Sequence, residues 1–131
     1  MSKTEKPARK TGVAHFFAAA GYSAAGFQRL MRESAGRQEI LLIVALVVAF
    51  VVFGASLVAT LGLLALGLLL LAVEALNTAI EELVDHLSPD WSQWAKNAKD
   101  LGSFAVACTI GGVMLYAAIV FGPGPERRGL P

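Results

Sequence analysis

The chain has 131 residues, of which 56% are hydrophobic and 16% are charged. Soluble domains are usually about 45–50% apolar and about 25% charged, so this composition is typical of a membrane protein. Eleven Lys and Arg against ten Asp and Glu give a net charge of +1, which leaves no excess for a basic face that binds nucleic acid. The length allows one domain and excludes a large soluble catalytic fold.

The N-terminal third precedes any long apolar run. Residues 1–10 are polar and predict a disordered tail. Residues from about 11 to about 36 predict an amphipathic helix on the membrane surface, with Gly21 and Gly26 as candidate interruptions. The side chains expected to face lipid are Phe16, Phe17, Ala20, Phe27, Leu30 and Met31. The side chains expected to stay in water are Gln28, Arg29, Arg32 and Glu33.

No charged residue occurs in the 34 residues from Ile40 to Val73. One helix of that length would measure about 51 Å, against a hydrocarbon core of about 30 Å. The run must therefore fold back, and the turn is expected at Gly54-Ala55-Ser56, where glycine relaxes the backbone and serine can satisfy a free carbonyl. The predicted elements are spans over about 38–53, 56–86 and 101–121, followed by a tail over 122–131.

Lys and Arg near the spans predict the orientation of this multi-pass chain. Seven precede the first span, Lys96 and Lys99 lie between the second and third spans, and the turn at Gly54 has none. The N-terminus is therefore expected in the cytoplasm and the C-terminus on the outer side of the membrane. Arg127 and Arg128 in the tail are a weaker signal in the opposite sense.

A stripe of polar residues continues the second span toward the cytoplasm. Its members, at spacings of three, four and four residues, are Glu74, Asn77, Glu81 and Asp85. These spacings place them on one helix face. About 20 residues from Ser56 cross the core, so Glu74 is expected at its cytoplasmic edge and Glu81 about 10 Å further out. One carboxylate would lie at the depth of a lipid hydroxyl, and the other within reach of a soluble phosphate donor.

The stripe also has structural interpretations. Acids at the end of a span often mark only a helix that emerges into water, and Asn77 can be a hydrogen-bonding group between helices. Two further turns of mostly apolar helix follow Glu74, which favours a function because an ionisable group within a membrane is costly. Glu82 lies about 100° around the helix from Glu81 and is expected to be a solvated neighbour.

The segment before the third span leaves alternatives open. Trp91 and Trp94 are typical of an interfacial aromatic belt. Lys99-Asp100 is either a snorkelling lysine beside an acid at a helix N-terminus, or a lysine that neutralises phosphate with an acid holding it. The chain has no glycine-rich phosphate loop and no kinase catalytic motif. Any nucleotide chemistry would therefore use acids to hold Mg²⁺ against the phosphates.

Several elements resemble the bacterial integral-membrane diacylglycerol kinase family. They are Glu74–Asp85 (EALNTAIEELVD), Ala98–Ser103 (AKDLGS), Glu33–Glu39 (ESAGRQE) and Gly21–Ser23 (GYS). The resemblance covers roughly residues 11–121, as one membrane-embedded lipid kinase domain. It implies an all-α fold with three transmembrane helices and a surface helix, assembled as a homotrimer with active sites shared between subunits.

The resemblance implies transfer of the γ-phosphate of MgATP to the hydroxyl of diacylglycerol, which gives phosphatidic acid. Glu74 matches the family's proton acceptor, and Glu33 and Glu81 match its Mg²⁺ ligands. The residues implied to bind ATP are His15, Tyr22, Glu33, Asn77, Glu81, Asp85, Asp90, Trp91, Ser92, Lys99 and Asp100. The residues implied to meet the lipid substrate are Ala35, Gly36, Arg37, Gln38, Glu39, Glu74 and Ser103.

The chain departs from the family pattern at Trp91-Ser92, where Tyr-His is frequent, and at His15, where arginine is common. A related branch phosphorylates undecaprenol, and Gly102-Ser103 resembles the diacylglycerol branch more. A small proton-coupled transporter with Glu74 as its carrier site is an alternative from another class. The first span and the outer half of the second contain very few polar residues, which disfavours it.

Overall fold

The computed structural model describes residues 5–123, and within that range the chain is all α-helical. The four helices are α1 (Gly12–Leu30), α2 (Ser34–Val52), α3 (Leu57–Leu87) and α4 (Gln93–Phe121). Helices α2, α3 and α4 are long and apolar enough to cross a bilayer. This confirms the predicted class of three spans preceded by an N-terminal helix. Parts of both predicted tails, residues 1–4 and 124–131, lie outside the described range.

The first helix ends at Leu30, earlier than the predicted end near residue 36. Glu33 is extended, with φ −81° and ψ 140°, and separates α1 from α2. Nη1 of Arg37 donates to the carbonyl oxygens of Met31 at 2.9 Å and of Arg32 at 3.0 Å. These bonds satisfy carbonyls that have no helical partner at the end of α1, and so they stabilise the break.

Two further expectations for α1 are wrong. Gly21 and Gly26 do not interrupt the helix. Leu30 does not face lipid, because it is only 5% exposed and packs beside Gly36 at the start of α2. Phe16 remains exposed, as do the other phenylalanines of α1, so the apolar side of this helix is available to a membrane.

The predicted turn between α2 and α3 is confirmed. Gly54 has φ +73°, a left-handed conformation that is accessible to glycine without strain. The Ser56 hydroxyl accepts a hydrogen bond from the Ala59 amide at 3.1 Å. Ser56 therefore caps the N-terminus of α3 and satisfies a backbone donor, whereas a carbonyl was expected to be its partner.

The fourth helix begins at Gln93, well before the predicted start near residue 101. Two pairs spaced four residues apart stabilise its first turns. Gln93 Nε2 donates to Asn97 Oδ1 at 2.8 Å, and Lys96 Nζ donates to Asp100 Oδ2 at 2.5 Å. These residues are too polar to register as a membrane span, but they form good helix on the water side of one.

The helices differ in length in a way that positions the site. Helix α2 measures about 28 Å, close to the thickness of a hydrocarbon core of about 30 Å. Helices α3 and α4 measure about 46 Å and about 44 Å. Since only residues 88–92 join them, both extend beyond the core on the same side. The two helices therefore form a hairpin that projects from the bilayer.

The buried residues divide into an apolar half and a polar half. The apolar cluster toward the Gly54 turn contains Ile43, Phe50, Leu63, Leu70, Val113 and Ala117. The Tyr116 hydroxyl donates to the Ala59 carbonyl at 2.8 Å and ties α4 to α3 there. The buried polar side chains are Glu39, Glu74, Asn77 and Thr78. These four lie toward the opposite end of the bundle, so the interior becomes polar as the projecting hairpin begins.

Candidate active site

Two glutamates from neighbouring helices are buried side by side. Glu74 on α3 is 4% exposed, and Glu39 on α2 is 5% exposed. Glu39 lies within direct electrostatic range of Glu74, as do Glu81 and Glu33. In residues 5–123 neither buried glutamate has a salt bridge, and Oε2 of Glu39 has no hydrogen-bond partner. Buried carboxylates without cationic partners are costly, which marks this cluster as a candidate functional site.

The predicted stripe on α3 is continuous. Glu74 and Asn77 are buried, Glu81 is half-buried and Asp85 is exposed, so exposure rises toward the α3–α4 loop. Asn77 Nδ2 donates to Glu81 Oε1 at 3.2 Å. The stripe therefore runs from the protein interior to the water-exposed hairpin.

Asn77 makes its hydrogen bond within α3, and the described residues include no bond from it to another helix. Its Oδ1 is buried and has no hydrogen-bond partner within residues 5–123. A Cβ atom built on Gly102 would collide with this oxygen, so α4 passes close to Asn77 at that glycine. Asn77 is thus a close-packed residue that bonds to Glu81, and residues 5–123 do not contain the interhelical hydrogen bond that was the alternative interpretation.

A cleft of about 400 Å³ lies between the end of α3 and the start of α4. Six of the residues predicted to bind ATP line it, namely Asp85, Asp90, Trp91, Ser92, Lys99 and Asp100. The Ser88 hydroxyl donates to the Asp90 carbonyl at 2.9 Å, which braces the loop. Trp91 is 77% exposed at the cleft, so its ring is free for stacking.

Two lysine–aspartate pairs lie in this cleft. Lys99 Nζ bonds to Asp85 Oδ1 at 2.5 Å, and Lys96 Nζ bonds to Asp100 Oδ2 at 2.5 Å. The acid that holds Lys99 is therefore Asp85, on the opposite helix, and the expected partner Asp100 binds Lys96 instead. Lys99 keeps a cation beside the stripe, which suits it to phosphate.

A third ion-pair arrangement links α1 to α3. Nη1 of Arg29 lies 2.5 Å from Glu33 Oε1, and its Nε lies 2.5 Å from Glu82 Oε1. Glu82 is exposed, as expected for a solvated neighbour of Glu81, and it is also ion-paired with Arg29. The hydrogen bond to Glu33 and then the pairing with Glu82 raise the pKa of the Arg29 guanidinium above its ordinary value.

Residues predicted to meet the lipid form a second, smaller groove of about 210 Å³ between α2 and α4. Ala35, Gln38 and Glu39 line it together with apolar side chains of both helices. Gly36 is buried against Leu30 of α1 and does not line this groove. Arg37 is engaged with the end of α1.

Three predicted site residues lie on exposed helix surfaces. They are Ser103 on α4, and His15 and Tyr22 on α1. Among the described contacts and clefts, none joins His15 or Tyr22 to the carboxylate cluster. The structure therefore brings together most of the predicted residues of α2, α3 and α4, and leaves Ser103, His15 and Tyr22 apart from them.

The carboxylates suit a particular kind of metal site. Across residues 5–123 no three His, Cys, Asp or Glu side chains are grouped to hold a metal ion. Glu33 and Glu81 are both half-buried and both interact with Glu74. Mg²⁺ is usually held by one or two carboxylates, with phosphate oxygens and water as the remaining ligands. The pair thus fits Mg²⁺ that arrives with a nucleotide.

Two features of the site were not predicted from the sequence. The first is the Arg29 link, although Arg29 and Glu33 have the spacing of a helical ion pair. The second is the approach of Glu39 to Glu74, which depends on how α2 packs against α3. No periodicity along either helix encodes that packing.

The fold and the site define a small helical membrane protein with a buried carboxylate cluster beneath a charged, water-exposed cleft. Residues 21–121 match the family model for prokaryotic diacylglycerol kinase. The chain therefore belongs to the prokaryotic diacylglycerol kinase family, which confirms the resemblance noted in the sequence.

Individual relatives agree with the family match. A diacylglycerol kinase of Sinorhizobium sp is 46% identical over 120 residues, which cover 92% of this chain and 88% of the relative. A diacylglycerol kinase of Pseudomonas aeruginosa is 42% identical over 104 residues, covering 77% and 85% of the two chains. One from Escherichia coli is 34% identical over 101 residues, covering 76% and 83%.

Proposed function

We propose that this chain transfers the γ-phosphate of MgATP to diacylglycerol at the inner leaflet, with Glu74 as the proton acceptor. Membership of the prokaryotic diacylglycerol kinase family supports the enzyme class, and the relatives carry that enzyme's name. The observation that carries the assignment is the burial of Glu74, which has no salt bridge in residues 5–123. Glu74 lies about one turn below Asn77 and about two turns below Glu81 on α3.

The proposed reaction needs few groups from the protein. Glu74 accepts the proton of the lipid hydroxyl as its oxygen attacks the γ-phosphorus, and the bond from that phosphorus to the bridging oxygen of ADP breaks. Glu33 and Glu81 would hold Mg²⁺, which supplies positive charge to the phosphates. Lys99, oriented by Asp85, adds a cation on the same side. Positioning and electrostatics supply most of the catalysis in such transfers.

The two clefts suit the two substrates. We assign the charged cleft of the hairpin to ATP, with Trp91 available to stack on the base and the remaining predicted ATP residues around it. We assign the groove that contains Gln38 and Glu39 to the glycerol end of the lipid, because its other walls are apolar. Glu74 and Glu39 lie close together, so the lipid hydroxyl would meet the base where the groove ends.

We also propose a cytoplasmic N-terminus and a homotrimeric assembly. Helix α1 pairs with the far end of α3, so the N-terminal helix and the α3–α4 loop share one side of the membrane. The excess of Lys and Arg on that side favours the cytoplasm. Large apolar side chains of α4, such as Phe104 and Leu115, are exposed in the single chain and are available for packing in a homotrimer.

The trimer has a direct test. Cys108 is the single cysteine of the chain, and it is exposed on α4. A spin label on Cys108 allows double electron–electron resonance in micelles to count the labels in each particle. We expect three labels, and a count of one would contradict the trimer.

The described core disfavours the transporter alternative. Its polar side chains are confined to one half of the bundle, and Phe50, Leu63 and Val113 fill the other half without exposed surface or polar groups. Within residues 5–123 no chain of buried polar residues crosses the whole core. A carried proton would have no path through it.

The enzymatic test uses purified protein in mixed micelles with labelled ATP, offered diacylglycerol and undecaprenol side by side. We expect labelled phosphatidic acid, and no labelled lipid in either arm would overturn the kinase assignment. Labelled undecaprenyl phosphate alone would move the substrate to the other branch. Glu74→Gln should lower turnover at least 100-fold, since general base catalysis supplies about 10²–10⁴-fold. The control Glu5→Gln alters an exposed glutamate that precedes α1, and it should keep full turnover.

A further inference from the structure

The carboxylate of Glu33 does not interact with the helix that it precedes. Glu33 occupies the N-cap position of α2, where Ser, Thr, Asp or Asn usually accept a hydrogen bond from the backbone. Here the side chain makes no such bond. It binds the Arg29 guanidinium instead, at 2.5 Å. Arg29 therefore sets the direction in which this carboxylate points.

The same guanidinium is anchored on α3. Its Nε lies 2.5 Å from Oε1 of Glu82, the residue next to Glu81. A planar guanidinium presents its donors in a rigid fork, so two carboxylates bound to it are held at a fixed separation. Arg29 thus connects the short segment that carries Glu33 to the turn of α3 that carries Glu81.

This connection lies where α1 is attached to the rest of the bundle. Leu30 is the single buried residue of α1, and the rest of the helix is largely exposed. A small groove beside Arg29 is lined by Ala75, Thr78 and Glu82 of α3. The end of α1 is therefore its docking point, and Arg29 is the polar contact at that point.

The geometry points to Arg29 as a positioning residue that holds Glu33 at a set distance from Glu81, so that the two carboxylates form the Mg²⁺ site together. This inference rests on the proposed function, because it takes Glu33 and Glu81 as the metal ligands. It adds Arg29 and Glu82 to the site as residues that support the metal ligands Glu33 and Glu81. Arg29 acts through Glu33 and touches neither substrate.

The decisive variant is Arg29→Gln, which removes the cation and keeps a polar side chain. Loss of a residue that orients a metal ligand typically lowers metal affinity or activity about 10–100-fold. We expect the Mg²⁺ concentration for half-maximal lipid phosphorylation to rise at least 10-fold. The kcat at saturating Mg²⁺ should stay within about twofold, since high Mg²⁺ refills a weakened site.

A matched control lies three residues away. Arg32 is exposed, and its side chain has no ion pair among residues 5–123. Arg32→Gln removes the same charge from the same surface and should leave the Mg²⁺ dependence unchanged. An equal shift in Arg32→Gln and Arg29→Gln would mean that bulk charge is responsible, and it would overturn the inference.

Two further variants test the bridge itself. Glu82→Gln removes the anchor but keeps Arg29, and it should shift the Mg²⁺ dependence in the same direction. The double variant Arg29→Gln/Glu82→Gln should be no worse than Arg29→Gln alone, because both changes break one linkage. Additive shifts would contradict a shared role. Arg29→Lys should be intermediate, since an ammonium group is a point charge without the fork.

A second readout does not depend on turnover. Mn²⁺ alone, titrated into the protein in micelles and followed by electron paramagnetic resonance, measures metal binding directly. We expect Arg29→Gln and Glu82→Gln to weaken Mn²⁺ binding at least 10-fold, and Arg32→Gln to match the wild type. If circular dichroism finds Arg29→Gln unfolded, Glu82→Gln and Arg29→Lys decide the question.

The two proposals fail in different ways. A wild-type protein that labels no lipid overturns the proposed function. A wild-type protein that labels lipid, with an Mg²⁺ dependence unchanged in Arg29→Gln and Glu82→Gln, overturns only the role of Arg29. The role of Arg29 would also be overturned if Glu33→Gln lost Mn²⁺ binding while Arg29→Gln kept it. Glu33 would then be oriented without Arg29.

Discussion

Gly102→Ala tests how closely α4 packs against the polar stripe of α3. A Cβ atom at this position collides with Asn77 Oδ1 and lies 3.2 Å from Asn77 Cγ. The clash is with a short side chain that is buried and bonded to Glu81, so it cannot be relieved by a simple rotation. Either α4 moves outward or Asn77 gives up its hydrogen bond.

The two responses have similar costs. Overpacking a close contact costs about 1–3 kcal/mol. Loss of a hydrogen bond to a charged group costs about 1.5–3 kcal/mol. Only one of the two responses is needed to relieve the clash. We therefore expect the free energy of unfolding to lie about 2 kcal/mol below that of an alanine variant in the same helix that meets no neighbour. Turnover should also fall, because both responses displace Glu81 relative to Lys99.

The assay is unfolding by sodium dodecyl sulfate in mixed micelles, followed by circular dichroism, with lipid phosphorylation measured on the same samples. Gly111→Ala is the matched control, since a Cβ there meets nothing within 4 Å on the same helix α4. Alanine favours a helix by up to about 1 kcal/mol over glycine, so the control should be neutral or more stable. Equal stability of the two variants would refute the reasoning.

Tyr116→Phe loses the hydrogen bond to the Ala59 carbonyl and should lower the free energy of unfolding by about 1 kcal/mol. Turnover should be unchanged, and reduced turnover would contradict a purely structural role for this bond. Asp85→Asn releases Lys99 from an exposed ion pair, so the free energy of unfolding should change by less than about 1 kcal/mol. The KM for MgATP should rise, and an unchanged KM would argue against Lys99 as a phosphate ligand. Ser56→Ala removes the α3 cap and should cost about 1 kcal/mol in the same unfolding assay, and no loss would contradict the cap.

The spans were predictable because a bilayer imposes a length. A charge-free run longer than the hydrocarbon core has to turn, and Gly54 offered the one suitable backbone. The stripe on α3 was predictable for a similar reason, since helical spacing alone places Glu74 and Glu81 on one face. Both inferences use information within a single helix.

The boundaries of α1 and α4 depended on other information. Helix α1 ends where the Arg37 side chain binds its last carbonyls, and that contact requires α2 to fold back beside it. Helix α4 starts in polar sequence that hydropathy assigns to a loop, because Lys96 and Asp100 stabilise helix without making it apolar. Hydropathy locates the bilayer, and it does not locate the ends of helices that extend past it.

The carboxylate cluster also depends on packing between helices. Glu39 meets Glu74 because α2 and α3 are in close contact nearer the apolar core, where Ile43 lies against Gly67 with room for no further side chain. The same packing places Glu33, at the N-terminus of α2, near the turn of α3 that contains Glu82. Arg29 binds both of these glutamates. The site therefore inherits its geometry from an apolar contact that has no chemical role.

The difference in helix length then gives the site access to two solvents. Helix α2 ends its span near Glu39, where the groove toward α4 is mostly apolar and suits a lipid. Helices α3 and α4 continue for about 15 Å past the hydrocarbon, where Asp85 and Lys99 face a cleft that suits a soluble nucleotide. If α2 were as long as its neighbours, it would cover the stripe on α3. In the proposed reaction, a lipid hydroxyl and a triphosphate would meet at Glu74 because α2 ends where α3 and α4 continue.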